Sequence, residues 1–416
     1  MADLSNVIHI LPTMKSGDDL LFSMEVLPEY DESIRSNEAP VRLMALSDLY
    51  RIYVPSQMSL EIYSKMYLAL LRSLQKKGTR LAVQQKNQNY KAIIQQEYGG
   101  IMGGSDSFTI IGASGIGKSS AISRAITLIT ENRVIEVENP YTKIIPCICV
   151  QCPFDSSVKG MLLEILRKVD EMIESKYYEN ALRARTTTDM LIGNVSQVAL
   201  NHIGLLVVDE IQNVCNSKNG KSLVGMLTQL INNSGISICM VGTPESAVFF
   251  EQAIQLARRS LGLRYDVMEY GTDFRNFCEI VFSYQYVKQK TEITDGIMEW
   301  LYEHTLGNIS VVVSLIHDAQ EIAILNGKEV LDLEALQEAY KQRLSMLHGF
   351  IHMEQKKQTS KPKKKVSVTV TDVRTSAEEK HSGDFTIAGL VEDAKTENGD
   401  IVQLLKIHMP VVEVAV

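Results

Sequence analysis

No apolar run in the 416-residue sequence approaches the length that crosses a bilayer; the longest candidates are strand-sized, such as Ile144–Val150. The start, Met1-Ala2-Asp3-Leu4, lacks a basic segment followed by an apolar stretch. A cytoplasmic protein with no membrane association is therefore expected. Cysteine is scarce, and six residues scattered over so long a chain do not make a disulfide framework. Cys147, Cys149 and Cys152 stand close together, but the first two alternate with Ile148 and Val150 as in a strand. No second Cys/His pair lies nearby in sequence to complete the four ligands of a structural zinc, so core cysteines are expected. There is no excess of positive charge either. A formal net charge of −8 excludes a uniformly basic nucleic-acid binder and leaves only local basic surfaces. No internal repeat is visible.

What is present is ordinary in bulk and informative in order. With 45% hydrophobic and 22% charged residues, the chain can bury a sizeable α/β core plus a smaller helical domain and tails. Residues 1–50, broken by Pro12, Pro28 and Pro40, read as an irregular N-terminal arm. A helix is predicted after Pro55, where Leu60, Tyr63, Met66, Tyr67, Leu70, Leu71 and Leu74 recur at helical spacing. From Phe108 to about Tyr270 strands and helices alternate, which implies a mainly parallel sheet covered on both faces. Predicted strands are Phe108–Ile111, Ile144–Val150, Gly204–Val208 and Ile236–Val241. Between them helices are predicted from Lys118, Ser156, Thr188 and Gly220, and a further one runs from Pro244 to Arg259. Segments near 273–288, 294–305, 309–325 and 332–347 are amphipathic helices. The predicted division is an arm (1–50), an α/β core with an N-terminal helical extension (51–270), a helical lid (271–352) and a tail (353–416). The tail opens with lysines from Lys356 to Lys365 around Pro362, a disordered basic linker, and ends in an apolar stretch, Ile401–Val416, suited to docking a partner.

Four elements carry chemistry. The first, Gly112-Ala113-Ser114-Gly115-Ile116-Gly117-Lys118-Ser119, matches G-x-x-x-x-G-K-[ST] between a strand and a helix. Its glycines let backbone N–H groups wrap a phosphate, and the helix start adds its positive dipole. Lys118 would neutralise β- and γ-phosphate charge, and Ser119 would offer its hydroxyl to Mg²⁺; Ser120 adjoins them. The second, Leu205-Leu206-Val207-Val208-Asp209-Glu210, delivers two carboxylates to the carboxyl edge of a sheet. Alone it would read as an acidic strand end capping a helix. Downstream of a phosphate loop, Asp209 reads as the Mg²⁺ holder acting through water and Glu210 as the group that polarises an attacking water. The third, Val241-Gly242-Thr243-Pro244-Glu245, sets Thr243 either near a γ-phosphate or as an N-cap before Pro244. The fourth, Arg258-Arg259, is either surface charge at a helix end or a trans-acting arginine in an oligomer.

These residues resemble the AAA+ ATPases, and more narrowly the TnsC/TniB family of DNA-transposition regulators. The carriers are the phosphate loop, Gly204-Leu-Leu-Val-Val-Asp-Glu-Ile-Gln-Asn213, Val241-Gly-Thr-Pro-Glu245 and Leu256-Ala-Arg-Arg259, over roughly residues 45–345. The resemblance implies a P-loop AAA+ core with a mainly parallel sheet, a small all-α lid and a disordered C-terminal tail. It implies ATP and Mg²⁺, a ring or helical filament of copies on double-stranded DNA, a target selector or CRISPR effector upstream, and a transposase recruited downstream. Lys118, Ser119, Asp209 and Glu210 keep the roles argued above, Thr243 becomes a sensor, and Arg258 or Arg259 acts in trans. One departure stands out: the lid stretch Leu306–Ile316 has no sensing arginine, and Asn308 is a weak substitute. Phosphate contacts to DNA fall to Lys159, Arg183, Arg185, Lys218 and Lys221. Two other readings share the motifs: a loader of helicases or initiators, and a scaffold that binds nucleotide and hydrolyses it slowly.

Overall fold

Phe108–Gly112 (β1), Ile203–Asp209 (β4) and Ser237–Gly242 (β5) are apolar runs buried along almost their whole length, as strands covered on both faces must be. They belong to a six-stranded sheet in the computed structural model, which describes residues 11–77, 82, 84–87, 89, 107–138, 141–184, 186–247 and 261–344. The order is β2-β3-β4-β5-β1-β6, with Ile135–Glu138 as β2, Tyr141–Gln151 as β3 and Leu261–Tyr265 as β6. All pairs are parallel except the edge hairpin β2–β3. Strand β5 lies between β1 and β4, so the phosphate loop after β1 and the acid pair after β4 flank one crevice at the carboxyl ends of the strands. The expected α/β class holds. The sequence reading lacked β2 and β6, both short and half polar.

Alternation along the strands divides the side chains between two cores. Leu205, Val207, Cys147, Cys239 and Val241 pack with the helices Gln57–Lys77 (α3) and Lys118–Thr130 (α4). Leu206, Val208, Ile148, Ile238 and Met240 face the other layer, formed by Val158–Ile173 (α5), Thr188–His202 (α7) and Gly220–Ser234 (α8), with the short Tyr177–Arg183 (α6) beside them. Burial pushes the thiol of Cys152 up to about 12 and that of Cys147 further, so neither is a ready nucleophile. Cys149 departs from the core expectation: it lies two positions nearer the carboxyl end of β3 and is exposed.

After β6 the chain is helical: Thr272–Ser283 (α9), Asp295–Thr305 (α10), Ile309–Leu325 (α11) and Leu333–Ala339 (α12), the last continuing as a π-turn over Tyr340–Leu344. Among the described residues no single helix is long and apolar enough to cross a membrane. Among its described residues the N-terminal arm is not irregular. It holds helices at Gly17–Met24 (α1) and Ala39–Ala45 (α2) and two short 3₁₀ turns. Leu46, Leu49 and Ile52 enter the hydrophobic core of the C-terminal helices. Arg42, 1% exposed, gives a two-pronged ion pair to Glu329 at 2.6 Å on each prong and a further bond to the Tyr286 carbonyl at 2.9 Å. Tyr30 donates to the Gln285 carbonyl at 2.6 Å and Tyr284 to the Pro28 carbonyl at 2.9 Å. The prolines punctuate this arm, but contacts some 250 residues away order it.

Candidate nucleotide site

The loop between β1 and α4 turns through two left-handed glycines, Gly115 (φ +81°) and Gly117 (φ +89°). Both sites favour glycine because an L side chain there is strained. Gly115 is also tightly enclosed: a Cβ would lie 2.5 Å from the Ser310 hydroxyl and 2.6 Å from Asn308 Oδ1. The Lys118 ammonium donates to the carbonyls of Gly112 (2.8 Å) and Ala113 (2.7 Å), so its charge sits over the loop.

Across the crevice, the Ser119 hydroxyl donates to Asp209 Oδ2 at 3.0 Å, bridging 90 positions of sequence. Asp209 Oδ1 accepts from the Glu210 N–H at 2.8 Å. Glu210 itself takes a left-handed backbone (φ +56°), an unusual conformation for a residue with a side chain, found here at the sheet edge where its carboxylate enters the cleft. Gln212 joins two site residues: its amide nitrogen donates to the Glu210 carboxylate and its Oε1 accepts from the Thr243 N–H at 3.4 Å. The Thr243 hydroxyl does not cap the following turn; that turn closes instead on the Thr243 carbonyl, which accepts from Ser246 N–H and hydroxyl. Thr243 Oγ1 is buried and has no hydrogen-bond partner among the described residues. A buried hydroxyl in that condition suits a ligand oxygen.

The lid reaches this loop with neutral groups. Asn308 caps α11 by accepting from Ser310 and Val311 N–H, and its Nδ2 donates to the Ser114 carbonyl at 2.9 Å. Ser310 N–H donates to the Gly115 carbonyl at 3.1 Å. Ser310 joins Lys118, Ser119, Asp209, Glu210 and Thr243 in lining a cleft of about 350 Å³ that continues between Tyr50, Tyr53 and Val54 of the N-terminal segment and Phe277, Ile309 and Val313 of the lid. The end at the β1–α4 loop is polar and the far end largely apolar, a division that would suit the two halves of a nucleotide. Serine hydroxyl and carboxylate oxygens are hard donors of the kind Mg²⁺ takes. The residues present fit magnesium and a nucleoside triphosphate.

Gly112, Ala113, Ser114, Ile116 and Ser120 stand in or beside the same loop, with Ser120 lining the cleft. Gln212, Ser310 and the apolar walls escaped sequence reasoning. Gln212 stands two residues after Glu210, and that adjacency to the Asp-Glu pair is the signal that points to it. Among the DNA candidates, Lys159, Lys218 and Lys221 are exposed at the starts of α5 and α8 and in the turn before α8. Arg183 ends α6 and pairs with Glu179 at 3.4 Å. Arg185, Arg258, Arg259, the lysines from Lys356 to Lys365 and the apolar tail lie outside the described residues.

Residues 102–264 match the family described as bacterial TniB protein. That segment contains the phosphate loop, the acid pair, the Gly-Thr-Pro turn and the Arg-Arg pair, so the resemblance carried by these motifs is shown there. The Orc1 protein of Aeropyrum pernix, solved in complex with DNA, is similar at 12% identity and a TM-score of 0.42, over 63% of this chain and 64% of that one. Domain III of the Thermotoga maritima replication initiation protein DnaA is similar at 13% identity and a TM-score of 0.35, over 63% of this chain and 92% of that domain. No curated protein matches.

Proposed function

We propose, for a chain whose residues 102–264 match the TniB family, an ATP-hydrolysing regulator of DNA transposition that assembles on double-stranded DNA. The observation that carries this reading is the convergence of Lys118, Ser119, Asp209, Glu210, Gln212 and Thr243 on one cleft inside that matched segment. In this reading Lys118 and the loop N–H groups hold the β- and γ-phosphates, and Mg²⁺ bound through Ser119 and Asp209 would neutralise charge on them. Glu210 accepts the proton of the attacking water. Gln212 holds the Glu210 carboxylate and the Thr243 backbone in register, and Thr243 Oγ1 meets the transferred phosphoryl group. Arg258 or Arg259 of a neighbouring copy would supply positive charge in trans. Lys159, Lys218 and Lys221 would meet DNA phosphates, giving affinity without base readout. ATP would permit assembly on the duplex, and hydrolysis would limit it. Transposase and target selector are the partners this role requires.

The test is electron microscopy of the full chain with duplex DNA, comparing a slowly hydrolysed ATP analogue with ADP. Rings or filaments on DNA with the analogue and their loss with ADP are expected. Absence of any DNA-bound assembly in both states would overturn the reading. A second reading, slow switch-like turnover, gains support from the lid contact itself: the groups that α11 brings to the phosphate loop are Asn308 and Ser310, which carry no charge.

A further inference from the structure

Phe154 is 91% exposed, more than any other large apolar side chain among the described residues. Full exposure of a phenyl ring forgoes the stabilisation that burial of its apolar surface would bring. A loose loop could fold the ring back onto the protein, but this loop is pinned on both sides of it. Cys152 N–H donates to the Asp209 carbonyl at 2.8 Å, and Asn213 Nδ2 donates to the Cys152 carbonyl at 2.9 Å. The Asp155 carbonyl accepts from Ser217 Oγ at 2.8 Å and Asn219 Nδ2 at 3.2 Å. Ser156, fully buried and left-handed (φ +52°), donates to the Asn213 carbonyl at 3.2 Å. The loop after β3 and the segment that follows Asp209-Glu210 are thus one stitched unit, with the ring held outward.

The charge around the ring is distinctive. Lys218 lies in the same small surface cleft as Phe154, Lys221 one turn further, and Lys159 in the first turn of α5, where Gly160 packs near Pro153. None of the three lysines makes an ion pair among the described residues, whereas Lys15, Lys168, Lys290 and Lys328 each pair with a carboxylate. Asp155 is the one acid in that cleft. An apolar ring among unpaired cations fits a partner that is anionic along its backbone and aromatic between its charges.

We infer that Phe154 inserts against the bases of duplex DNA while Lys159, Lys218 and Lys221 hold the flanking phosphates. Apolar side chains that enter a groove unstack base steps in this manner. The inference rests on the DNA-binding reading above and adds to it a contact with the bases and a rigid path from that contact to Glu210, through Asn213, whose N–H donates to the Glu210 carbonyl at 3.1 Å. No base sequence is specified, because stacking surfaces are common to all four bases.

The experiment uses the full chain, a slowly hydrolysed ATP analogue and a duplex carrying 2-aminopurine, whose fluorescence rises on unstacking. Wild type should bind and raise the signal. Phe154→Ser should bind roughly fivefold to 150-fold more weakly and leave the fluorescence flat, the loss expected for one stacking contact. Phe154→Trp should restore both. Lys218→Ala should weaken binding and reduce the salt slope by about one unit. Absence of DNA binding by wild type would remove the parent reading. Wild-type binding with Phe154→Ser matching it in affinity and fluorescence would overturn this inference alone. Loss of self-association by Phe154→Ser without DNA, at unchanged DNA affinity, would assign the ring to a contact between copies and overturn it as well.

Discussion

Replacing Arg42 by methionine should cripple the lid although Arg42 lies far from it in sequence. The guanidinium is 1% exposed and the Glu329 side chain 14%, and both prongs of the pair are 2.6 Å. Without Arg42, Glu329 keeps only the Lys288 N–H at 3.2 Å and the more distant Lys288 ammonium at 3.9 Å, and breaking a buried pair of this kind costs about 3–5 kcal/mol. The carbonyl of Tyr286 loses its donor as well. At a urea slope of roughly 1–3 kcal/mol per molar, the unfolding midpoint should fall by about 1–5 M. Trp300, the only tryptophan in the chain, stacks on His304 in α10 at 4.1 Å and so reports this block by its fluorescence. The pH dependence follows from the same pair. Arg42 holds the Glu329 carboxyl below its ordinary value, so this stabilisation is fully present above about pH 4.5 and is lost as pH falls through the lowered folded value. Glu329→Gln should remove that acid limb. Because the arm anchored by Arg42 leads to Tyr50, Tyr53 and Val54 in the cleft wall, Arg42→Met should also weaken nucleotide binding. A midpoint unchanged by Arg42→Met, or an acid limb that survives Glu329→Gln, would refute the argument.

Three further outcomes are expected. Glu210→Gln should keep nucleotide binding and lower turnover by roughly 10²- to 10⁴-fold, measured by phosphate release, and should leave assemblies on DNA over-stable. Gly115→Ala should weaken binding of a fluorescent nucleotide, because the new methyl combines a left-handed strain of about 1–2 kcal/mol with displacement of Asn308 and Ser310; unchanged affinity would mean that the lid contact is dispensable. Arg258→Ala or Arg259→Ala should reduce assembly, read by light scattering, at unaltered affinity of the dilute monomer for nucleotide. No effect of either would remove the trans role.

Much of the site is legible in the sequence because phosphate binding is local. A strand end, two glycines that can turn left-handed and a helix start must be contiguous, so Gly112–Ser119 declares itself. Asp209-Glu210 follows from an apolar run ending in carboxylates, and α4, α5 and α7 to α12 follow from periodicity and caps, whereas the seven-residue α6, which carries Arg183, is too short to show a period. β6 is only five residues long, with Gly262 and Arg264 between and after its two leucines, so its strand character comes from pairing with β1. The proline-rich arm shows no periodicity because its order comes from bonds to Tyr286 and Glu329.

The sequence by itself determined the phosphate loop, the acid pair, the central strands with the helices between them and the family they resemble, since each is written in neighbouring residues. Only the tertiary structure decided that Asn308 and Ser310 close on the phosphate loop, that Gln212 ties Glu210 to Thr243, and that the N-terminal segment builds one wall of the cleft. Those pairings depend on how layers stack and on which carbonyls are left to be satisfied, quantities that no local window contains.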